Sequence, residues 1–237
     1  MRRGEADWRA VTKLTERVLE RLDWQALGEI YFHWGGEQFW QERRPRVVEL
    51  GEVLAMRLLQ QVPKGGASLW VGAGVAELPV LIAEVLMHER TVTAANLRER
   101  ECEVLNAGLL VAVPEVALRF IAGDARTVEP GRLFDHIGCI SVFTDPETWP
   151  VISDVAYGRV APVQLDVERF LAEREATREV AKGLFARLAR PGLVTTSAEE
   201  VAWFLEQAEV HGATVDASED LVETAVVGDP VGFLTVR

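Results

Sequence analysis

Between Ser68 and Asn96 the hydrophobic pattern changes period twice. Leu69, Trp70 and Val71 form a short apolar run that stops at Gly72-Ala73-Gly74. Val75 to His88 then carries apolar residues at helical spacing, and Thr91 to Ala95 returns to a strand-like run ending at Asn96. This predicts strand, glycine turn, helix, strand. Two glycines around Ala73 allow a sharp turn and a close approach of backbone to a ligand. The helix that follows begins with unpaired N–H groups facing the same place.

The pattern continues as an α/β alternation. On the N-terminal side, Trp8, Val11, Leu14, Val18 and Leu22 mark one face of a helix from Glu5 to Leu22. An aromatic segment runs from Trp24 to Trp40, and Pro45 is placed to open a helix whose face is Val47, Leu50, Leu54 and Leu58. Pro63-Lys64-Gly65-Gly66 breaks the chain. Residues 1–63 are therefore expected to be a helical appendage and 64–237 the α/β body.

Within the body, a helix is expected over Arg98 to Gly108 with Gly108 as its stop, and strands over Ala117–Ala122 and Phe134–Phe143. A linker, Glu147 to Pro162, leads to a helix over Asp166–Ala189, a turn at Arg190-Pro191-Gly192 and a strand at Leu193–Thr196. A helix over Glu199–His211 precedes a closing hairpin of Leu221–Val227 and Val231–Val236. The expected fold is a doubly wound, mostly parallel seven-stranded sheet with a C-terminal antiparallel hairpin. Ligands on such sheets sit beyond the carboxyl ends of the strands. Those ends carry Gly72-Ala73-Gly74, Asn96, Gly123-Asp124-Ala125 and Ser141 to Asp145.

Composition narrows the function. The chain has 237 residues, 49% hydrophobic and 26% charged, with a net charge of -12. Such a surface repels phosphate backbones and makes nucleic acid a poor default partner. Cys102 and Cys139 match no zinc or redox spacing, and no His/Cys cluster has metal-ligand spacing. No signal-peptide or membrane-spanning pattern is visible, so a cytoplasmic protein with no membrane partner is expected. The oligomeric state is not encoded in any motif.

Five motifs in order, VGAGVAE, AANL, FIAGDA, FDHIGCISVF and LARPGLVTTS, with the closing GDPVGFLTVR, resemble the class I S-adenosylmethionine-dependent methyltransferases over residues 67–237. The resemblance implies a Rossmann-like fold and S-adenosyl-L-methionine as cofactor. It implies that Gly72, Ala73 and Gly74 lie against the methionine part, Asn96 meets the ribose and Leu97 packs on the adenine. Asp124 and the Ala125 amide would bind the adenine edge, and Ser141 and Val142 would floor the pocket near the sulfonium. Trp70 stands where the family has an acid, Ala76 where it has a third glycine, and Asn96 where it prefers Asp or Glu. Restoring that carboxylate by Asn96→Asp is expected to tighten binding unless a nearby acid repels it.

His33, Asp145 and Tyr157 are the candidates for work on the substrate; His136, early in a strand, reads as structural. His33 could be a base on a lid or part of a packing seam, and Asp145 a substrate contact or a turn initiator. The leading function is methylation of a small molecule. Alternatives are transfer of the cofactor's aminocarboxypropyl group, a degenerate non-catalytic scaffold, and a nicotinamide-dependent dehydrogenase. The last is disfavoured because Glu77 replaces the third glycine of that fingerprint.

Overall fold

The computed structural model describes residues 3–30, 37–224 and 228–237. Most of the aromatic run from Tyr31 to Trp40, His33 included, lies outside them or has no described side chain.

Five strands follow the expected parallel order: β1 (Ala67–Val71), β2 (Thr91–Asn96), β3 (Phe120–Ala122), β4 (Phe134–Cys139) and β5 (Leu188–Ser197). The sheet runs β3-β2-β1-β4-β5-β8-β6, where β6 is Val215–Ala217 and β8 is Pro230–Val236. β8 lies antiparallel to β5, with Ser197 opposite Val231. A short β7 (Val222–Glu223) pairs with the start of β8, closing the expected hairpin. The sheet therefore has eight strands where seven were expected. The extra edge strand, β6, is three residues long and too polar for its sequence to show an apolar run.

Alternation within the strands sends side chains to two separate cores. On one face Trp70, Ala94 and Phe120 meet the helices α1 (Arg3–Leu19), α2 (Trp24–Ile30), α3 (Glu37–Leu59), α4 (Leu78–His88) and α5 (Glu99–Ala112). On the other, Leu69, Val71, Phe134 and Ile137 pack against α7 (Val167–Phe185) and α8 (Val201–Val210). Of the face expected for the first helix, Val11, Val18 and Leu22 are buried, with Trp8 and Leu14 packed against them.

Four local expectations are corrected. Pro45 does not open a helix; it lies inside α3 with its ring toward solvent, where packing of Val47, Leu54 and Leu58 holds the helix through it. Gly108 does not end α5, which continues to Ala112; a Cβ there would stand 2.6 Å from Leu22 Cδ2. It is glycine to let α5 approach the α1–α2 corner. The Arg190-Pro191-Gly192 turn is a bulge inside β5: the ladder passes from Phe134–Leu188 directly to His136–Leu193. The linker after β4 contains α6 (Pro150–Ala156), whose C-cap is Tyr157.

Candidate active site

The carboxyl edge of the sheet brings four of the expected clusters together. β1 ends at Gly72, which has φ +67 and donates its N–H to Ala95 O at 2.8 Å. A Cβ on Gly72 would lie 2.9 Å from Val142 Cγ2, so the glycine turn and the chain leaving β4 touch at this point. Glycine is needed here for both reasons, the left-handed backbone and the close approach.

Asn96, at the end of β2, is buried, and its amide is heavily engaged. Nδ2 donates to Ala73 O at 2.9 Å and to Glu101 Oε2 at 3.1 Å, while Oδ1 accepts from Arg98 N–H at 2.9 Å. Asn96 thus ties the glycine turn to α5 through Glu101 and turns the chain into that helix through Arg98. Leu97 beside it is 68% exposed.

After β3, Asp124 accepts from the backbone and guanidinium of Arg126, whose hydrogen bonds hold the carboxyl below its ordinary range. Ala125 is buried, and its carbonyl accepts from Arg187. After β4, Ser141 has φ +53; its N–H donates to Ser197 Oγ at 3.0 Å and its hydroxyl to Asp229 Oδ2 at 2.7 Å. The Tyr157 hydroxyl donates to the same Oδ2 at 2.6 Å, and burial followed by that bond pushes the phenol well above its usual range. Glu200, fully buried, accepts from Phe143 N–H at 2.6 Å and Thr144 N–H at 3.1 Å. Burial raises its carboxyl to about 8. Asp145 accepts from Thr148 Oγ1 at 2.8 Å and meets Arg98 at 3.4 Å.

The edge therefore joins Tyr157 to Ser141 through Asp229, while Asp145 turns toward Arg98 and Thr148. Asp229 and Glu200 were missed from the sequence. Gly228-Asp229-Pro230 reads as a hairpin joint, and only the antiparallel return of β8 places it at the carboxyl edge. Glu200 reads as one more charge in a helix; nothing local marks it as buried.

A second polar network lies toward the amino edge. Trp70 Nε1 donates to Glu84 Oε1 at 2.6 Å, and Arg90 Nε donates to Glu84 Oε2 at 2.9 Å. Arg90 also pairs with Asp135, and Ser68 Oγ donates to Glu84. His136 is fully buried, bonds Thr195 Oγ1 at 2.9 Å and packs edge-on to Trp70. Burial holds its imidazole well below the usual range, hence neutral. This agrees with a structural role for His136, and it shows that the indole at the position of the family's acid is matched by a carboxylate from α4.

No family model matches the sequence, and no curated protein matches it. Solved structures do. A methyltransferase from Pyrococcus furiosus superposes with a TM-score of 0.51 at 14% identity, over 78% of this chain and 82% of that one. The chain has the class I methyltransferase fold. TrmN from Thermus thermophilus is 19% identical over 78% of this chain and 48% of its own, with a TM-score of 0.49. The chain thus spans about half the length of TrmN. MtNAS, crystallised with MTA and tNA, is 14% identical over 97% of this chain and 70% of its own, with a TM-score of 0.48. On the methyltransferase fold, the cluster around Gly72, Asn96, Asp124 and Ser141 occupies the carboxyl edge where α/β sheets take ligands. A cavity of about 20 Å³, between α3, Glu77 and Ile140, opens there. The larger groove, about 610 Å³, is lined by Asn106 to Arg119 and lies beside the amino end of β3, away from these groups.

Proposed function

We propose that this protein binds S-adenosyl-L-methionine at the carboxyl edge and transfers its methyl group to a small-molecule acceptor. The observation that carries the reading is the close approach of Gly72 to Val142, which a Cβ on Gly72 would obstruct, at the meeting of the first and fourth strand ends. Gly72, Ala73 and Gly74 would hold the methionine part, and Ser141 and Val142 the sulfonium end. Leu97 is exposed where an adenine face would cover it, and Asp124 with Ala125 would take the adenine edge. Asn96 would meet the ribose through Oδ1 alone, since its NH2 is engaged elsewhere.

The bound cofactor supplies the electrophilic methyl group and its own leaving group. The protein's part is alignment, exclusion of water and disposal of a proton. Asp229, nine-tenths buried between two hydroxyl donors, is placed to accept a proton from an acceptor heteroatom near Ser141. Tyr157, held protonated by its surroundings, orients that carboxylate and does not act as the base. Residues 1–63 would be an appendage that closes the site, since Leu50, Gly51 and Leu54 of α3 border Ala76 and Glu77. The net charge of -12 supports a small acceptor over nucleic acid.

Calorimetric titration with S-adenosylhomocysteine tests the cofactor site, and absence of both heat and thermal shift would favour the scaffold alternative. In turnover with candidate acceptors, release of S-adenosylhomocysteine marks methyl transfer. Release of methylthioadenosine would instead mark aminocarboxypropyl transfer.

A further inference from the structure

Glu77 stands at the exit of the glycine turn, half-buried, its carboxylate accepting from the Gly74 N–H and from its own backbone N–H. Its Oε2 accepts from Gly74 N–H at 2.8 Å, which folds the side chain back over the turn. Two acids face it: Glu101 from α5, and Glu223 from β7, which lines the same small cavity and is paired with Arg46 at 2.9 Å. The other walls are apolar, Leu50, Gly51 and Leu54 from α3 and Ile140 after β4. Burial, with Glu101 adding to it, pushes the Glu77 carboxyl up to about 7.

A carboxylate walled by apolar side chains, next to a turn built for close approach, has the chemistry of a cation acceptor. The geometry points to Glu77 as the counter-ion of the ammonium group on the cofactor's amino-acid tail, with Oε1 accepting from that ammonium. The assignment rests on the cofactor reading above and adds to it the residue that distinguishes a ligand with an amino-acid tail from one without.

Two ligands separate the possibilities. S-adenosylhomocysteine carries the ammonium; methylthioadenosine shares the nucleoside and the thioether but lacks the tail. Glu77→Gln keeps an acceptor for Gly74 and removes only the charge. At about pH 8, where the wild-type carboxyl is ionised, this variant should bind S-adenosylhomocysteine about tenfold or more weakly and methylthioadenosine unchanged. Wild-type affinity for S-adenosylhomocysteine should rise with pH through about 7, methylthioadenosine should show no such rise, and Glu77→Gln should abolish it. Equal losses for both ligands would mean that Glu77 merely shapes the turn, and unchanged S-adenosylhomocysteine affinity would also overturn the assignment. If the wild-type protein binds neither ligand, the cofactor reading fails first and takes this one with it.

Discussion

Replacing Asn96 by aspartate exchanges an NH2 for an oxygen, with almost no change of volume, at a point where that NH2 faces two acceptors. Ala73 O lies 2.9 Å away and Glu101 Oε2 3.1 Å. In the variant both lose their donor and confront a third oxygen in a buried site. Losing the donor to Ala73 O and setting a new oxygen against Glu101 cost about 1–3 kcal/mol each, so a loss of about 3 kcal/mol is expected. For a chain of this size that lowers the melting temperature by roughly 6–12 °C. The new carboxyl, buried beside Glu101, has a folded pKa above its unfolded value of about 4. The penalty is therefore smallest below that pH and grows as pH rises through the folded pKa. Calorimetric melts at acid and mildly alkaline pH, each paired with a titration of S-adenosylhomocysteine, measure both effects. An unchanged melting temperature at alkaline pH together with tighter ligand binding would refute this argument and restore the simple expectation that a carboxylate improves the ribose contact.

Three further outcomes follow from the packing. Gly138→Ala places a Cβ 2.5 Å from Trp70 Cδ2. It should cost about 1–3 kcal/mol in urea denaturation, and a neutral result would mean the indole can move. Arg90→Met leaves Glu84 and Asp135 without their shared cation. A loss of about 3–5 kcal/mol is expected from the same measurement, and a loss under about 1 kcal/mol would show that the pair is not desolvated. Glu200, with a folded pKa raised to about 8, binds a proton that the unfolded chain releases near pH 4, so its contribution falls as pH rises towards 8. Glu200→Gln should flatten that part of the stability–pH curve, and an unaltered curve would assign the slope to other groups.

The order of strands and helices, the glycine turn and the ends of β1 and β2 are set by local pattern, because periodicity and turn chemistry act over a few residues. The family resemblance came from the same short motifs, and the sheet order bears it out. Contacts between distant segments were not legible. Gly108 looks like a helix stop until Leu22 is seen against it, and Pro45 looks like a helix start until the apolar face of α3 is packed. Asn96 stands out in sequence as a strand-end polar residue, but its commitment to Ala73 and Glu101 exists only after α5 has folded over the turn. Asp229 lies 72 residues from Tyr157, and β8 must return antiparallel to β5 before their oxygens meet. Local sequence determines which elements form; which buried charges find each other depends on long-range packing, since desolvation and hydrogen-bond geometry have no value until the partner segments are in place.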